Sequence, residues 1–414
     1  MNRIFLITLI FIGISLPAFA QQEKEPTVIL VSLDGFRYDY VDRFKPENLA
    51  RFIENGVAAK SLVPSFPTKT FPNHYTIATG MRPEHHGIVD NSFYDPEKDD
   101  EYRLNKRELV TDGTWYDGTP LWVLAEQNGI KAASYFFVGS EAAIMGVRPS
   151  YYYDYDGGVA NLSRISKVFE WLQLPDSIRP RMITMYFSDM DDVGHRYGAN
   201  NDQELSPRIK QLDHELGALF EGVKSIPQEV NIIIVSDHGM ADVSVENYLA
   251  LDQVIEGVNG RVVNSGALAH IYLDDPKEKE AVIARIKLKE KGFTVFDPAQ
   301  GEYYQDLGAH GDRIGDVIVL ADLGYYWMEN EAYREVMARR MRMDETKVKG
   351  THGYSEKYPE MHGIFYAKGP QIKVGLTIDS FDNIHIYPLI CELLGLPIPE
   401  GIDGKLEVLK PILK

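Results

Sequence analysis

Short apolar runs rich in β-branched residues punctuate the chain: Val28 to Leu33, Met182 to Phe187, Asn231 to Val235 and Gly363 to Tyr366. Between them lie stretches of helical period. In one, Leu205, Ile209, Leu212, Leu216 and Leu219 recur with charged residues in between, the pattern of a helix with one face on a core. This alternation predicts an α/β fold with a mainly parallel sheet flanked by helices on both faces. The first run ends in Asp34-Gly35 and the third in Asp237-His238-Gly239. Polar residues thus stand at the carboxyl ends of predicted strands, where open α/β sheets place ligand sites.

The texture changes from Tyr248 to Gly350. A strand-like stretch from Ala267 to Leu273, a charged helix from Pro276 to Lys291 and a strand-like Phe293 to Phe296 predict an inserted α/β subdomain at 248–350. The main core is then 26–247 together with 351–414. The charge run from Lys277 to Lys291 is the solvated face of a helix, with Ile283 and Ile286 turned inward. No internal repeat or low-complexity segment is apparent.

At the N-terminus, Asn2 and Arg3 precede an apolar run from Ile4 to Leu16 and then Ala18-Phe19-Ala20. This predicts a secretory signal peptide at 1–20, because the run is shorter than the ~20 residues of a spanning helix and a cleavage-type tripeptide follows. The expected product is exported, periplasmic if bacterial or else secreted, with no membrane span after cleavage. Cys391 is the single cysteine in 414 residues, so no intramolecular disulfide can form. A hydrophobic content of 44% lets burial stabilise the chain instead. The formal charge of −18 repels polyanions at long range, which argues against a stable nucleic-acid partner and against anionic membrane surfaces. A small phosphate ester remains a possible partner where a metal centre supplies local positive charge. Nothing in the sequence defines the oligomeric state.

Four clusters carry oxygen and nitrogen ligands of the kind zinc takes: Asp34, Asp191 to His195, Asp237-His238-Gly239-Met240, and Thr351-His352-Gly353-Tyr354. An Asp at a strand end is more often a turn or helix cap, so the clusters count only as a set. A fifth segment, Pro64 to Tyr75, contains Thr70 two residues before Pro72. Pro72 suits the first turn of a helix, which places Thr70 where backbone N–H groups can hold an anion. A threonine hydroxyl is a weak nucleophile at neutral pH, and coordination to a metal would stabilise its alkoxide.

In this order the Leu33-Asp34-Gly35 strand end, Thr70-Phe71-Pro72-Asn73-His74-Tyr75, Asn91, Asp191 to His195, Asp237 to Met240 and Gly350-Thr351-His352-Gly353 resemble the nucleotide pyrophosphatase/phosphodiesterases of the alkaline phosphatase superfamily. The resemblance spans nearly all of the chain after residue 20. It implies an alkaline-phosphatase-like fold and a hydrolase that cleaves phosphodiester or phosphoanhydride bonds of a small nucleotide or diester substrate through a covalent phosphothreonine. It implies two zinc ions, one held by Asp34, Asp237, His238 and the Thr70 oxygen, the other by Asp191, His195 and His352. Asn91 would donate to a non-bridging phosphate oxygen beside the Thr70 N–H. Phe71 and Tyr155 would sandwich a nucleobase, although the alternative for both is ordinary core packing.

Asp191 is preferred to its neighbours Asp189 and Asp192 because the family pattern places the ligand four residues before the histidine, and His352 is preferred to His362 because Gly353 follows it. His74, His85, His86 and His362 are assigned to structural hydrogen bonding, as are His214, His270, His310 and His385. Two rival activities use the same site: an alkaline-phosphatase-like phosphomonoesterase, and a phospholipid-headgroup diesterase with an aromatic choline cage. Sulfatase chemistry lacks its Cys/Ser-x-Pro-x-Arg setting. A catalytically dead binding protein is disfavoured because every ligand type and the nucleophile are present.

Overall fold

The structure is a computed structural model that describes residues 25–343 and 347–414; the signal peptide expected at 1–20 lies outside the described residues. Eight strands form the central sheet: β1 (Thr27–Leu33), β2 (Val57–Ala59), β3 (Ala132–Tyr135), β4 (Tyr151–Tyr153), β5 (Met182–Phe187), β6 (Val230–Val235), β7 (Phe365–Lys368) and β8 (Leu376–Ile378). Their order across the sheet is β8-β2-β7-β6-β1-β5-β3-β4. Only β7 runs against its neighbours, so the sheet is mainly parallel as the apolar runs predict.

Every residue of β1 is buried, because helices cover both faces of the sheet. Val28 and Leu30 enter one hydrophobic cluster with Ile77 and Ile390, while Ile29, Val31 and Leu33 enter another with Val168 and Leu212. That division is the two-residue period of a strand seen from its two faces. The predicted leucine-rich helix extends over Asp202–Val223 and turns Leu205, Ile209, Leu212, Leu216 and Leu219 inward.

Register sets the site. Leu33 pairs with Phe187 and Ser32 with Val235, so β1, β5 and β6 end level with one another. The residues just beyond them, Asp34, the helix Asp189–Tyr197 and Asp237, therefore emerge along one edge.

Within 248–350 the sheet is antiparallel, with four strands in the order Gly260–Asn264, Leu268–Leu273, Val317–Ala321, Phe293–Phe296. Its hydrophobic cluster also takes in Ala241, Val243, Tyr354 and Met361 from the flanking chain. A two-stranded pairing of Ala241–Ser244 with Val348–Thr351 joins the region to the core. The charged segment is a 3-10 turn at Pro276–Glu278, capped by Asp275, followed by a helix at Lys279–Lys287. It ends short of Lys291, Leu288 being almost fully exposed. Gly292 then adopts a positive φ of +76°.

Candidate active site

Three carboxylates and three imidazoles converge beyond β1, β5 and β6. Asp34 and Asp237 are fully buried, and Asp191 is partly buried with one carboxylate oxygen enclosed. One Asp34 oxygen accepts from the Tyr186 hydroxyl, and one Asp237 oxygen accepts from the Gly35 N–H at 3.3 Å. The remaining oxygens, Asp34 Oδ1, Asp237 Oδ2 and an Asp191 oxygen, are buried without a hydrogen-bond donor. Such orphaned anionic oxygens are costly unless a cation or proton lies among them. Burial, and then the Asp237 and Asp191 charges, push the Asp34 carboxyl well above its ordinary range.

Gly35 makes the assembly possible. Its φ is +64°, and a Cβ there would lie 2.8 Å from the Asp191 Cα. Only glycine suits that left-handed turn and close approach.

The imidazoles share one orientation. Nδ1 of His195 donates to the Gly350 carbonyl at 2.9 Å, Nδ1 of His238 to the Gly239 carbonyl at 2.8 Å, and Nδ1 of His352 to the Thr68 carbonyl at 2.9 Å. Each Nδ1 faces an acceptor and carries the proton, so in the neutral ring Nε2 keeps a lone pair. Those Nε2 atoms face carboxylates: His195 at 3.4 Å from Asp191, His238 at 3.0 Å from Asp237 and 3.5 Å from Asp34, and His352 at 3.7 Å from Asp191. Lone pairs aimed at carboxylates, each ring fixed by a backbone carbonyl, are the arrangement of metal-ligating histidines. Burial, and then the neighbouring His238, hold His352 well below the usual imidazole range. The donor set thus fits divalent cations. Ligand atoms of Asp34, His74 and Asp237 lie within 4.8 Å of one another, as do those of Asp191, His238 and His352.

His238 stands between the two groups. Its ring stacks on His352 with centroids 3.6 Å apart, yet its Nε2 is also 3.2 Å from the Thr70 hydroxyl. His74 has both nitrogens engaged, Nδ1 with the Thr70 carbonyl at 2.9 Å and Nε2 with Ser32 Oγ at 2.8 Å. It lies 3.3 Å from Asp237 and supports that carboxylate and the Thr70 backbone.

Thr70 begins the helix Thr70–Thr79, with Pro72 in its first turn. No carbonyl or side chain among the described residues accepts its N–H, as expected in a first turn. Asn91 Oδ1 accepts from the Phe71 N–H at 2.9 Å, which leaves its amide NH2 as the group available to a ligand. Beside these lies a cavity of about 360 Å³ whose lining includes Phe71, Tyr155, Phe136, Asn91 and Thr70. Phe71 and Tyr155 therefore share a cavity, with Tyr155 45% exposed at its rim.

The model of the family described as "Type I phosphodiesterase / nucleotide pyrophosphatase" matches residues 28–355, which include all of these groups. The chain belongs to this phosphodiesterase family. Among its curated relatives, ectonucleotide pyrophosphatase/phosphodiesterase family member 1 of Mus musculus is 33% identical, aligned over 97% of this chain and 44% of its own length. A pyrophosphatase/phosphodiesterase of Schizosaccharomyces pombe, itself described as uncharacterized, is 34% identical over 90% of this chain and 78% of its own. The chain thus spans less than half the length of the mouse protein. Solved murine ectonucleotide pyrophosphatase/phosphodiesterase 5 superposes with a TM-score of 0.82 at 28% identity, covering 94% of this chain and 100% of that one. An inactive threonine-to-alanine variant of it in complex with AMP superposes with a TM-score of 0.83, at the same identity and coverage.

Against the family pattern, the structure brings Asp34, Thr70, Asp191, His195, Asp237, His238 and His352 together, with Phe71, Asn91 and Tyr155 along one side. Several supporting groups escape a reading of motifs. Tyr186 reaches Asp34 because strand pairing sets it opposite Ser32. Its one signal is a tyrosine in an otherwise apolar strand end. Lys69 is buried and spends its ammonium on the Ser265 carbonyl at 2.6 Å. His270 bridges Asp90 Oδ2 at 3.0 Å and the Ile314 carbonyl at 2.9 Å, and the Ser265 hydroxyl donates to the other Asp90 oxygen. The 248–350 region thereby grips the residue preceding Asn91.

Proposed function

We propose that the protein is an exported two-zinc phosphodiesterase/nucleotide pyrophosphatase with Thr70 as nucleophile. The observation that carries this reading is the convergence on Thr70 of buried, donorless carboxylate oxygens and imidazole Nε2 lone pairs. Asp34, Asp237, His238 and the Thr70 oxygen would hold one ion, and Asp191, His195 and His352 would hold the other. When bound, the ions supply the positive charge that favours the Thr70 alkoxide and the leaving oxygen.

The chain's own groups do the rest. Thr70 Oγ attacks phosphorus, and the bond to the leaving oxygen breaks as the threonine ester forms. The Thr70 N–H and the Asn91 amide hold a non-bridging oxygen, whose charge grows in the transition state. Phe71 and Tyr155 grip the base, which fixes phosphorus in line with both oxygens. Water then cleaves the ester and regenerates Thr70.

Diesters are preferred to monoesters on the same grounds. A monoester dianion calls for an additional cation, and the nearest lysine, Lys69, is buried and bound to Ser265. A choline cage would draw on a carboxylate, and Glu141 in the cavity is already paired with Arg107 at 2.5 Å. The AMP complex of the inactive murine relative supports both a threonine nucleophile and a nucleotide ligand. Export rests on the signal sequence and on relatives named as ectonucleotide or venom enzymes. No helix among the described residues is long and apolar enough to cross a membrane.

The test is hydrolysis of a dinucleotide, a nucleoside triphosphate, glycerophosphocholine and a phosphomonoester under one condition. Highest kcat/KM on the nucleotide diesters or anhydrides supports the proposal; highest kcat/KM on the monoester contradicts it.

A further inference from the structure

Behind the Phe71–Tyr155 cavity, strand pairing stops one residue early. β3 pairs with β5 only as far as Tyr135, opposite Met185. Phe136 then turns out of the sheet with a φ of +69°, a left-handed conformation that is costly for a bulky side chain and that clusters at functional sites. Its ring lines the cavity and meets Tyr155 edge-on, with centroids 5.3 Å apart. Tyr155 has little burial of its own to hold it, being 45% exposed in a segment, 154–160, that is neither helix nor strand. Both rings need an external support.

Arg164 supplies one. It stands near the start of the helix Asn161–Leu172, among the buried positions of that helix, and is 3% exposed. Nη1 donates to the Tyr186 carbonyl, one position beyond the last β3–β5 pair, at 2.7 Å. Nε and Nη2 both donate to the Val159 carbonyl, in the segment of Tyr155, at 3.1 and 2.8 Å. The guanidinium carbon lies 5.0 Å from the centroid of Phe136 and 5.7 Å from that of Phe187. Among the described residues its hydrogen bonds thus go to carbonyls and to no carboxylate. Burying a guanidinium without a carboxylate is costly, and packing against Ile165 and Val168 alone would be met by an apolar side chain. The cation at this position has a task besides packing.

We propose that Arg164 is a positioning residue for nucleotide recognition: its fork ties the segment of Tyr155 to the end of β5, and its face holds the Phe136 ring in the strained turn. The base then meets a cavity that is already formed, and little ordering is left to oppose binding. The inference rests on the phosphodiesterase reading and deepens it, because it assigns affinity for the base to a residue that touches neither the base nor the reacting atoms. Lysine cannot take over this task. Its ammonium is a point donor without the planar fork that spans both carbonyls.

Two diesters test this: a nucleoside 5′-p-nitrophenyl ester, and methyl p-nitrophenyl phosphate, which carries no base. Arg164→Lys should lower kcat/KM roughly tenfold on the first, mostly through KM, and about twofold or less on the second, with metal content unchanged. In the Thr70→Ala background, calorimetry should show the same roughly tenfold loss of nucleoside monophosphate affinity. In a Tyr155→Ala background, Arg164→Lys should cost about twofold or less. Equal losses on both diesters, a full tenfold loss in the Tyr155→Ala background, or unchanged nucleoside monophosphate affinity would overturn the role and leave the phosphodiesterase reading standing. Should Arg164→Lys not fold, Phe136→Leu keeps the cavity apolar and removes the ring under the guanidinium. It should reproduce the selective loss, and equal effects on both diesters would overturn the role in the same way. Failure of the wild-type protein to cleave either diester counts against the phosphodiesterase reading instead, and the calorimetric arm still decides Arg164.

Discussion

One wall of the site is built from strand ends: Asp34 and Asp237 are each 1% exposed, Asp34 directly after β1 and Asp237 two positions beyond β6. The opposite wall is built from the 248–350 region, where Tyr333 is 47% exposed on a helix that begins beyond a short strand. The first wall is held by an all-buried parallel sheet and its register. The second is attached through a two-stranded pairing and side-chain links such as His270 to Asp90. Rigid strand ends suit charges whose spacing must not change. Half-exposed side chains on helices and loops suit contacts that select one substrate over another.

The comparison breaks most sharply at Thr70. Thr70→Ala should lower kcat by roughly 10³-fold or more on every substrate, while the Asp and His ligands keep the metal content near that of the wild type. Steady-state kinetics with elemental analysis checks this, and near-normal turnover would remove the proposed nucleophile. Phe71→Ala should act selectively. Loss of ~1–3 kcal/mol of stacking lowers kcat/KM roughly 5- to 150-fold on a nucleoside p-nitrophenyl ester, with little change on p-nitrophenyl phosphate, which has no base. Equal losses on both would mean that Phe71 serves packing only.

The link between the walls gives a smaller effect. His270→Asn removes the bridge from the 248–350 region to Asp90 and loosens Asn91, so kcat should fall about tenfold while inhibition by a nucleoside monophosphate is unchanged. In an Asn91→Ala background the same change should add almost nothing. A full additional loss there would show that His270 acts by another route.

The smallest effect concerns His85, which joins Asp403 at 2.8 Å to Asp306 of the 248–350 region at 2.9 Å. The hydrogen bond to Asp403, despite partial burial, raises its pKa to about 9 from 6.5. A folded pKa above the unfolded one stabilises fully below about pH 6.5 and is lost as pH rises through about 9. His85→Gln should therefore cost on the order of 1 kcal/mol near pH 6, after allowance for solvent screening, and nothing above pH 10. Thermal unfolding at both pH values measures it, and a pH-independent loss would contradict the ion-pair account.

Most of the wall proposed to hold the metals was legible in the sequence, because Asp34 and Asp237 follow apolar strands, Asp191 and His195 stand four residues apart, and the family motifs single out Thr70 and His352. The short strands β2, β3, β4 and β8 left no readable period, since three or four residues cannot establish one. His270 has the look of a core histidine along the chain, and its role depends on Asp90, 180 positions away. Tyr326, Tyr333 and Lys349 carry no motif: a parallel strand pair, a helix and the pairing of Ala241–Ser244 with Val348–Thr351 bring them into one chamber with His195 and His352. Chemistry that must sit at a strand end writes itself into local sequence, whereas specificity assembled across a fold does not.

The most direct test of the account is zinc content measured alongside turnover during stepwise chelation. The account predicts two zinc ions per chain in protein purified without chelator, activity that falls as zinc is withdrawn, and recovery on its return. Undiminished cleavage of a nucleoside p-nitrophenyl ester by protein with zinc near zero would contradict it.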